Sequence, residues 1–354
     1  MREVALPDVP YDSTAVRPHW SDLPAALRTA IAHRLGSAVV QARSASGGFT
    51  RAFAAVLTTE SGERVFVKAA PAQDPTAEWY AREHAITAAL PTGVRAARPR
   101  WILSEAGYFV LCLDAVDGRT PTLPWSTTDL NAALAAWSTA AAALSDPPPE
   151  LSASARRGTA HAPPERPAVT ERDVSPELPA ATQAHLELPA LPQIVRDHLS
   201  WWSEIAAGRV PTPPGLPAWL TSRLPELAAL EQALPDLVAG PGMLHGDLRI
   251  DNMLIDADGN AWLCDWTWPC LGAPWFDTVT LLVSAYASGL DVDRLLAPWG
   301  APAAGVDGAL AAMSGYWLVQ AAGPPSSASP HSGQHHRFSG TQALAWLAER
   351  RGWA

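Results

Sequence analysis

Leu244-His245-Gly246-Asp247-Leu248-Arg249-Ile250-Asp251-Asn252-Met253-Leu254 is followed closely by Ala261-Trp262-Leu263-Cys264-Asp265-Trp266. The stretch sets an Asp, an Asn five residues on, and a second Asp thirteen beyond that, each against a short apolar run. Such a set can gather one base and two oxygen ligands around a magnesium-bound phosphate. Mg²⁺ takes hard oxygen ligands and usually only one or two carboxylates, leaving its other positions to phosphate and water. Asn252 and Asp265 meet that demand. A carboxylate that stays off the metal can orient a hydroxyl and accept its proton, and Asp247 suits that role.

At these residues the chain resembles the aminoglycoside phosphotransferase-like kinases, a small-molecule branch that includes choline kinases and is distantly related to protein kinases. His245-Gly246-Asp247 with Asn252, and Asp265-Trp266 on the next hairpin, carry the resemblance. Protein kinases usually have Arg between the His and the Asp, and Phe-Gly after the metal Asp. Here Gly246 and Trp266-Thr267 stand in those positions, which points to the small-molecule branch. A His-Gly-Asp triplet alone is a weak signal, because Gly and Asp also make ordinary turns; the whole spacing set is specific. The resemblance covers residues 37–280.

It implies an α+β, protein-kinase-like fold of two lobes. An N-terminal lobe over 1–114 would hold an antiparallel sheet with one main helix and bind nucleotide. A mainly helical C-terminal lobe over 115–354 would carry the chemistry and the substrate. It also implies transfer of the γ-phosphoryl of ATP or GTP, with Mg²⁺, to a hydroxyl of a small molecule. Arg249 matches a basic residue that neutralises γ-phosphate charge, with a salt bridge inside the loop as the alternative. Asp251 faces the same choice and stays outside the expected site. His245 would support the loop backbone, and Asp277, in Trp275-Phe276-Asp277-Thr278, would hold the loop by hydrogen bonds.

Working outward to the first lobe, Lys68 is the only Lys in the chain against 24 Arg. An ammonium is a compact point charge that can sit between phosphate oxygens where a planar guanidinium would not fit. The pattern predicts a helix over 21–35 and strands over 39–42, 52–59 and 64–69, which puts Lys68 on a returning strand. Ser46, Gly47, Gly48, Phe49 and Thr50 lie between the first two strands, where a tight turn can offer backbone N–H groups to phosphate oxygens. Asp74-Pro75 opens a helix over 76–90 that Pro91 stops. On that helix Glu83 matches the family's partner for the strand lysine, with Glu78 as the other candidate. Tyr108 to Leu113 reads as an edge strand, running into an interlobe hinge where backbone groups at Asp114 and Val116 would read the adenine.

In the second lobe, helices are expected over 129–144, 193–207, 217–237, 278–289, 292–299, 309–322 and 341–350. Residues 146–192 are rich in Pro, Ala and charge and read as an insertion or loop. His331, His335 and His336 fall in a Ser/Gly/Pro-rich stretch and are expected to be solvated. Most of the 16 Trp should be packing residues. An aromatic and acidic wall from Trp201, Trp202, Glu204, Trp266, Trp268 and Trp275 would suit an aminated acceptor.

Composition limits the remaining choices. Hydrophobic content of 48% with 17% charged residues is that of a folded globular chain. Residues 1–114 carry 12 basic and 11 acidic residues, and residues 115–354 carry 13 and 24, so the negative charge sits in the second part. That balance argues against nucleic acid as a partner and for a cationic substrate, unless the acidic surface serves solubility alone. No run reaches the roughly 20 apolar residues of a membrane-spanning helix, and Met1 to Asp8 has no signal-peptide pattern. Cys112, Cys264 and Cys270 lack zinc-ligand spacing, as in a reduced, cytoplasmic protein. The expected reaction is phosphoryl transfer to an aminoglycoside-like, other antibiotic or aminated acceptor. A metabolic acceptor such as choline, homoserine, a sugar or an amino-acid derivative is the alternative, and a nucleotide-binding pseudokinase is the non-catalytic one. Intact Lys68, Asp247, Asn252 and Asp265 weigh against the last.

Overall fold

A computed structural model describes residues 3–11, 13–148, 151, 187–324 and 329–353. Most of the Pro-rich segment expected over 146–192 lies outside the described residues. At its far end Ala190 bridges Leu271, and a helix has already begun at Leu191 with Pro192 in its first turn.

Five strands form one antiparallel sheet: β1 (Val39–Ser44), β2 (Phe53–Thr59), β3 (Arg64–Pro71), β4 (Pro99–Glu105) and β5 (Tyr108–Asp114). Their order is β1-β2-β3-β5-β4. β5 is therefore interior, not the edge strand its sequence suggested. The tight turn at Ala106 and Gly107, both with positive φ, folds β4 back onto its outer side, and the unbroken apolar run Phe109 to Leu113 is buried throughout. Such a run fits a strand covered on both faces better than an edge.

Strand alternation sends Val65, Val67 and Ala69 to one face, where they pack with Leu27 and Ile31 of α1 (Ala25–Leu35). Phe66, Lys68 and Ala70 go to the other, against α2 (Pro75–Ala89), whose Ala77 and Tyr80 complete that cluster. Ile31 is wholly buried, a contribution of roughly 1.5–3 kcal/mol for a side chain of that size. α2 starts where expected because Asp74 caps it, its carboxylate accepting from Thr76 N–H, and Pro75 occupies the first turn.

The rest is mainly helical: α3 (Thr127–Ala143), α4 (Leu191–His198), α5 (Trp201–Ala206), α6 (Leu220–Leu237), α7 (Trp275–Ala287), α8 (Val292–Leu296), α9 (Ala303–Ala322) and α10 (Ser332–Arg351). The last two begin earlier than sequence patterning predicts, and glycine is the reason. A Cβ on Gly305 would lie 2.9 Å from the Trp275 ring, and one on Gly340 would lie 2.7 Å from Leu318. These glycines permit close helix packing and do not mark loops. Consequently His335 and His336 are helical, and His335 is buried rather than solvated. Trp137, Trp202, Trp266 and Trp346 are fully buried core residues. Among the described residues no helix is long and apolar enough to cross a membrane.

Two small sheets, one of two strands and one of three, frame the chemistry. β7 (Gly242–Leu244) pairs with β10 (Cys270–Gly272), and β8 (Met253–Asp256) pairs with β9 (Ala261–Leu263) and with β6 (Gly118–Arg119). The hairpin turn between β8 and β9 is closed by Asp256, whose carboxylate accepts from the N–H groups of Asp258 and Asn260, while Gly259 takes positive φ. Residues 245–252 thus leave β7 and return into β8, and Asp265 follows β9 directly.

Candidate active site

His245 is fully buried and anchors the loop from beneath. Its Nδ1 accepts from Asp247 N–H at 3.3 Å, so Nε2 carries the proton and donates to the Cys264 carbonyl at 2.9 Å. Burial lowers its pKa to about 4, keeping the ring neutral in that tautomer. Asp277, at the start of α7, accepts from His245 N–H at 2.6 Å and from Gly246 N–H at 3.2 Å. Its own carboxyl is pushed up to about 7 by burial, against those two bonds.

The carboxylate of Asp247 is held from two sides. Asn252 Nδ2 donates to its backbone carbonyl at 2.8 Å and to Oδ2 at 3.0 Å. Arg249 Nη2 lies 3.2 Å from the same Oδ2 and 3.1 Å from Asp251 Oδ2. Burial raises the Asp247 carboxyl to about 6, with Arg249 pulling the other way. Arg249 therefore makes the intraloop salt bridges weighed from the sequence. Asp251, left outside the expected site, is its buried second partner.

Asp265 takes φ of +63°, a left-handed conformation costly for a non-glycine residue. Thr267 Oγ1 donates to Asp265 Oδ1 at 2.7 Å, and Lys68 Nζ lies 3.4 Å from the same oxygen. Burial would raise this carboxyl, but Lys68 and the Thr267 hydroxyl outweigh it and bring it down to about 2. Lys68 Nζ also donates to both oxygens of Glu83, at 2.8 and 2.6 Å. Burial works against the ammonium, yet Asp265 and Glu83 hold its pKa above the usual lysine range. Glu78, the other candidate on α2, is exposed. α2 is further tied to the Asp265 segment by Arg82 Nε, which donates to the Thr267 carbonyl at 3.0 Å, and by the Trp79 ring, 5.5 Å from Trp268.

Ser46, Gly47, Gly48, Phe49 and Thr50 form the link between β1 and β2. Phe49 reaches from it to the second half of the chain: its ring is 4.9 Å from His335 and 5.7 Å from the Arg249 guanidinium carbon. At the end of β5, Asp114 already commits its N–H to the Arg98 carbonyl and its carboxylate to Arg100 Nε. Val116 lies in the short link between β5 and β6.

Packing, the reading expected for most Trp, holds at Trp202 and Trp266 in place of a substrate wall. Trp202 is buried, its Nε1 donating to the Ala311 carbonyl, and Glu204 pairs with Arg209. Sequence reasoning also missed Tyr11, buried, whose hydroxyl bonds His335 Nδ1 at 2.8 Å. Together with Arg249, Thr280, Ser284, Trp317 and Ser339 these two line a small cavity beside the loop. No sequence signal marked it, since the contact joins positions 324 residues apart.

A profile described as the phosphotransferase enzyme family matches residues 41–308. No curated protein sequence matches the chain. Among solved structures, a thermostable mutant of aminoglycoside phosphotransferase APH(4)-Ia, in its apo form, aligns with a TM-score of 0.55 at 13% identity, covering 91% of this chain and 98% of that one. Macrolide 2'-phosphotransferase MphH from Brachybacterium faecium aligns with a TM-score of 0.51 at 15% identity, over 89% and 96% of the two chains. A putative fructosamine-3-kinase from Haemophilus somnus 129PT aligns with a TM-score of 0.51 at 12% identity, over 92% and 98%. At these identities the likeness is one of fold.

Proposed function

Because this chain belongs to the phosphotransferase enzyme family, we propose that it moves the γ-phosphoryl of ATP or GTP to a hydroxyl of a small, aminated molecule, of the aminoglycoside-like or another antibiotic type. The observation that carries this reading is the meeting of Lys68 and Asp265 at 3.4 Å, from strand and hairpin nearly two hundred positions apart, next to an Asp247 fixed by Asn252. Lys68, oriented by Glu83, holds donor phosphates. Asp247 orients the acceptor hydroxyl and takes its proton as the oxygen attacks phosphorus. Phosphoryl transfer depends mainly on positioning and charge neutralisation, so no covalent nucleophile is required.

The donor set fits Mg²⁺. Asn252 spends its amide N–H groups on Asp247, which leaves its oxygen as a hard ligand, and Asp265 is ionised and half exposed. Among the described residues no three His, Cys, Asp or Glu side chains gather as a cage, so a cation here would take its remaining ligands from phosphate and water. Bound there, Mg²⁺ would neutralise charge on the transferring phosphoryl group. Arg249 steadies Asp247 and lowers its proton affinity. The net charge of the second part supports an aminated acceptor. The need for a nucleoside triphosphate and three free cysteines support a cytoplasmic setting.

The test is mass spectrometry on mixtures of hydroxylated compounds, with aminoglycosides, other antibiotics, choline, homoserine and sugars included, incubated with the protein, Mg²⁺ and ATP or GTP. An Asp247→Asn control runs beside it. One phosphate added to a compound and absent in the control establishes the reaction and identifies the acceptor. Transfer to none of them, together with no nucleotide binding, overturns the reading.

A further inference from the structure

Residues 14–17 lie along the link between β1 and β2 and take up its carbonyl oxygens. Ala15 N–H donates to Ser46 O at 2.8 Å. Thr14 Oγ1 donates to Gly48 O at 3.0 Å. Arg17 spans three acceptors: Nη2 donates to Gly47 O at 3.1 Å, and Nη1 donates to Thr50 Oγ1 and Ala52 O, both at 2.9 Å. Four carbonyls of one short loop are thereby satisfied from one side. By contrast, among the described residues none of the N–H groups of Gly47, Gly48, Phe49 and Thr50 donates a hydrogen bond.

This asymmetry has an electrostatic consequence. A loop can cradle an anion only if its N–H groups converge while its carbonyls, which repel phosphate, are turned away and occupied. The same contacts explain both glycines. A Cβ on Gly48 would come 2.9 Å from Arg17 Nη2, and one on Gly47 would come 3.0 Å from the Tyr11 carbonyl. The segment is itself fastened to the other half of the molecule, where Ser329 Oγ donates to Thr14 O at 2.9 Å and Tyr11 bonds His335. Backing for the loop thus comes from a piece of chain outside the sheet, braced on the helical part.

We propose that Arg17, with Thr14, is a positioning residue for phosphate binding: it holds the carbonyls of residues 46–52 so that the loop's N–H groups can take the triphosphate. The inference rests on the nucleotide reading given above. Arg17 does not itself touch the reacting atoms.

The experiment compares wild type with Arg17→Met, Arg17→Lys and Thr14→Val. Two quantities are read: amide hydrogen exchange at residues 46–52 without ligand, and the Kd of a non-hydrolysable ATP analogue with Mg²⁺. Arg17→Met should speed exchange at 46–52 while β3 amides around Lys68 keep their protection, and should weaken binding by roughly tenfold or more, as expected when charge-assisted hydrogen bonds are lost. Arg17→Lys, with one charge but no fork, should recover part of the binding, and Thr14→Val should show a smaller effect of the same kind. Unchanged exchange in Arg17→Met overturns the proposal, as does exchange that rises equally in β3, which would mean a general structural role. Faster loop exchange with an unchanged Kd also overturns it. If wild type binds no nucleotide, the functional reading fails, while the exchange arm still decides whether Arg17 orders the loop.

Discussion

Gly246 adopts φ of +77° directly against the carbonyl of Trp268, where an added Cβ would lie only 2.0 Å from that oxygen. No side chain fits between them, so this loop cannot carry the Arg that protein kinases usually place before the catalytic Asp. A left-handed residue other than glycine costs roughly 1–2 kcal/mol, and the clash adds to it. A shift of the Trp268 backbone would strain the segment that leaves Asp265, three residues earlier. Gly246→Ala should therefore lower turnover by more than about tenfold, alongside a fall in Tm. Wild-type turnover with wild-type Tm would show that the Trp268 backbone gives way freely.

Asp247→Ala should lower kcat by roughly 10²–10⁴ while nucleotide still binds, the range for loss of a positioned base. The pH profile offers a sharper check. Burial raises the Asp247 carboxyl to about 6. On the proposed reading Asp247 is the base and must be ionised to accept a proton, so kcat/KM should fall as pH drops below about 6. Arg249 holds that value down, and Arg249→Met should move the acid limb to higher pH. An acid limb that stays in place, or moves to lower pH, contradicts the coupling between the two side chains.

Lys68 and Glu83 form a buried pair at 2.6 Å, the ammonium also facing Asp265. Removing one member of such a pair leaves a buried charge. Glu83→Ala should cost about 3 kcal/mol, the low end for a broken buried pair because Asp265 remains. Lys68→Met should lower turnover by about 10²-fold or more. Lys68→Arg should not restore it, since a planar fork does not replace a point charge. Denaturant unfolding for the first variant and steady-state kinetics for the other two decide the matter.

The loop and hairpin of residues 245–265 could be read from the chain because their geometry is local: a turn fixes the spacing of Asp247, Asn252 and Asp265, and polar residues interrupt short apolar runs. The α+β class followed from the resemblance carried by those residues, while strand and helix periods located most of the elements but put β5 at the edge of a sheet in which it is interior. What stayed hidden was non-local. Nothing in Tyr11 or Arg17 signals that Thr14, Ala15 and Arg17 lie on the Gly47-Gly48 loop, or that Tyr11 meets His335 on α10. Composition misled where glycine serves close packing: Gly305, Gly308 and Gly340 read as loop residues because a sequence does not show the Trp275, Leu230 or Leu318 atoms against them. Trp202 packs inward, as expected of most Trp, its indole donating to the Ala311 carbonyl.

Glu231 of α6 is wholly buried and caps α5 from outside: its Oε1 accepts from Trp202 N–H at 2.9 Å, and its Oε2 accepts from Ser203 N–H at 2.8 Å and from Ser203 Oγ at 3.0 Å. Ser200, at the cap position, makes no side-chain bond of its own to α5. Glu231→Ala strands two backbone donors, and should destabilise the protein by roughly 2–6 kcal/mol at a cost of about 1–3 kcal/mol per buried orphan. Burial raises the Glu231 carboxyl from 4.5 to about 7, against those three bonds. Because the folded value lies above the unfolded one, the folded protein binds the proton more tightly. The resulting stability is fully present below about pH 4.5 and is lost as pH rises through about 7. The Tm of wild type should therefore fall relative to Glu231→Gln, which cannot titrate, as pH is raised from 4.5 to 8. A Tm difference that stays constant over that window would mean that Glu231 does not change its ionisation there, and that its three donors, rather than burial, set its charge.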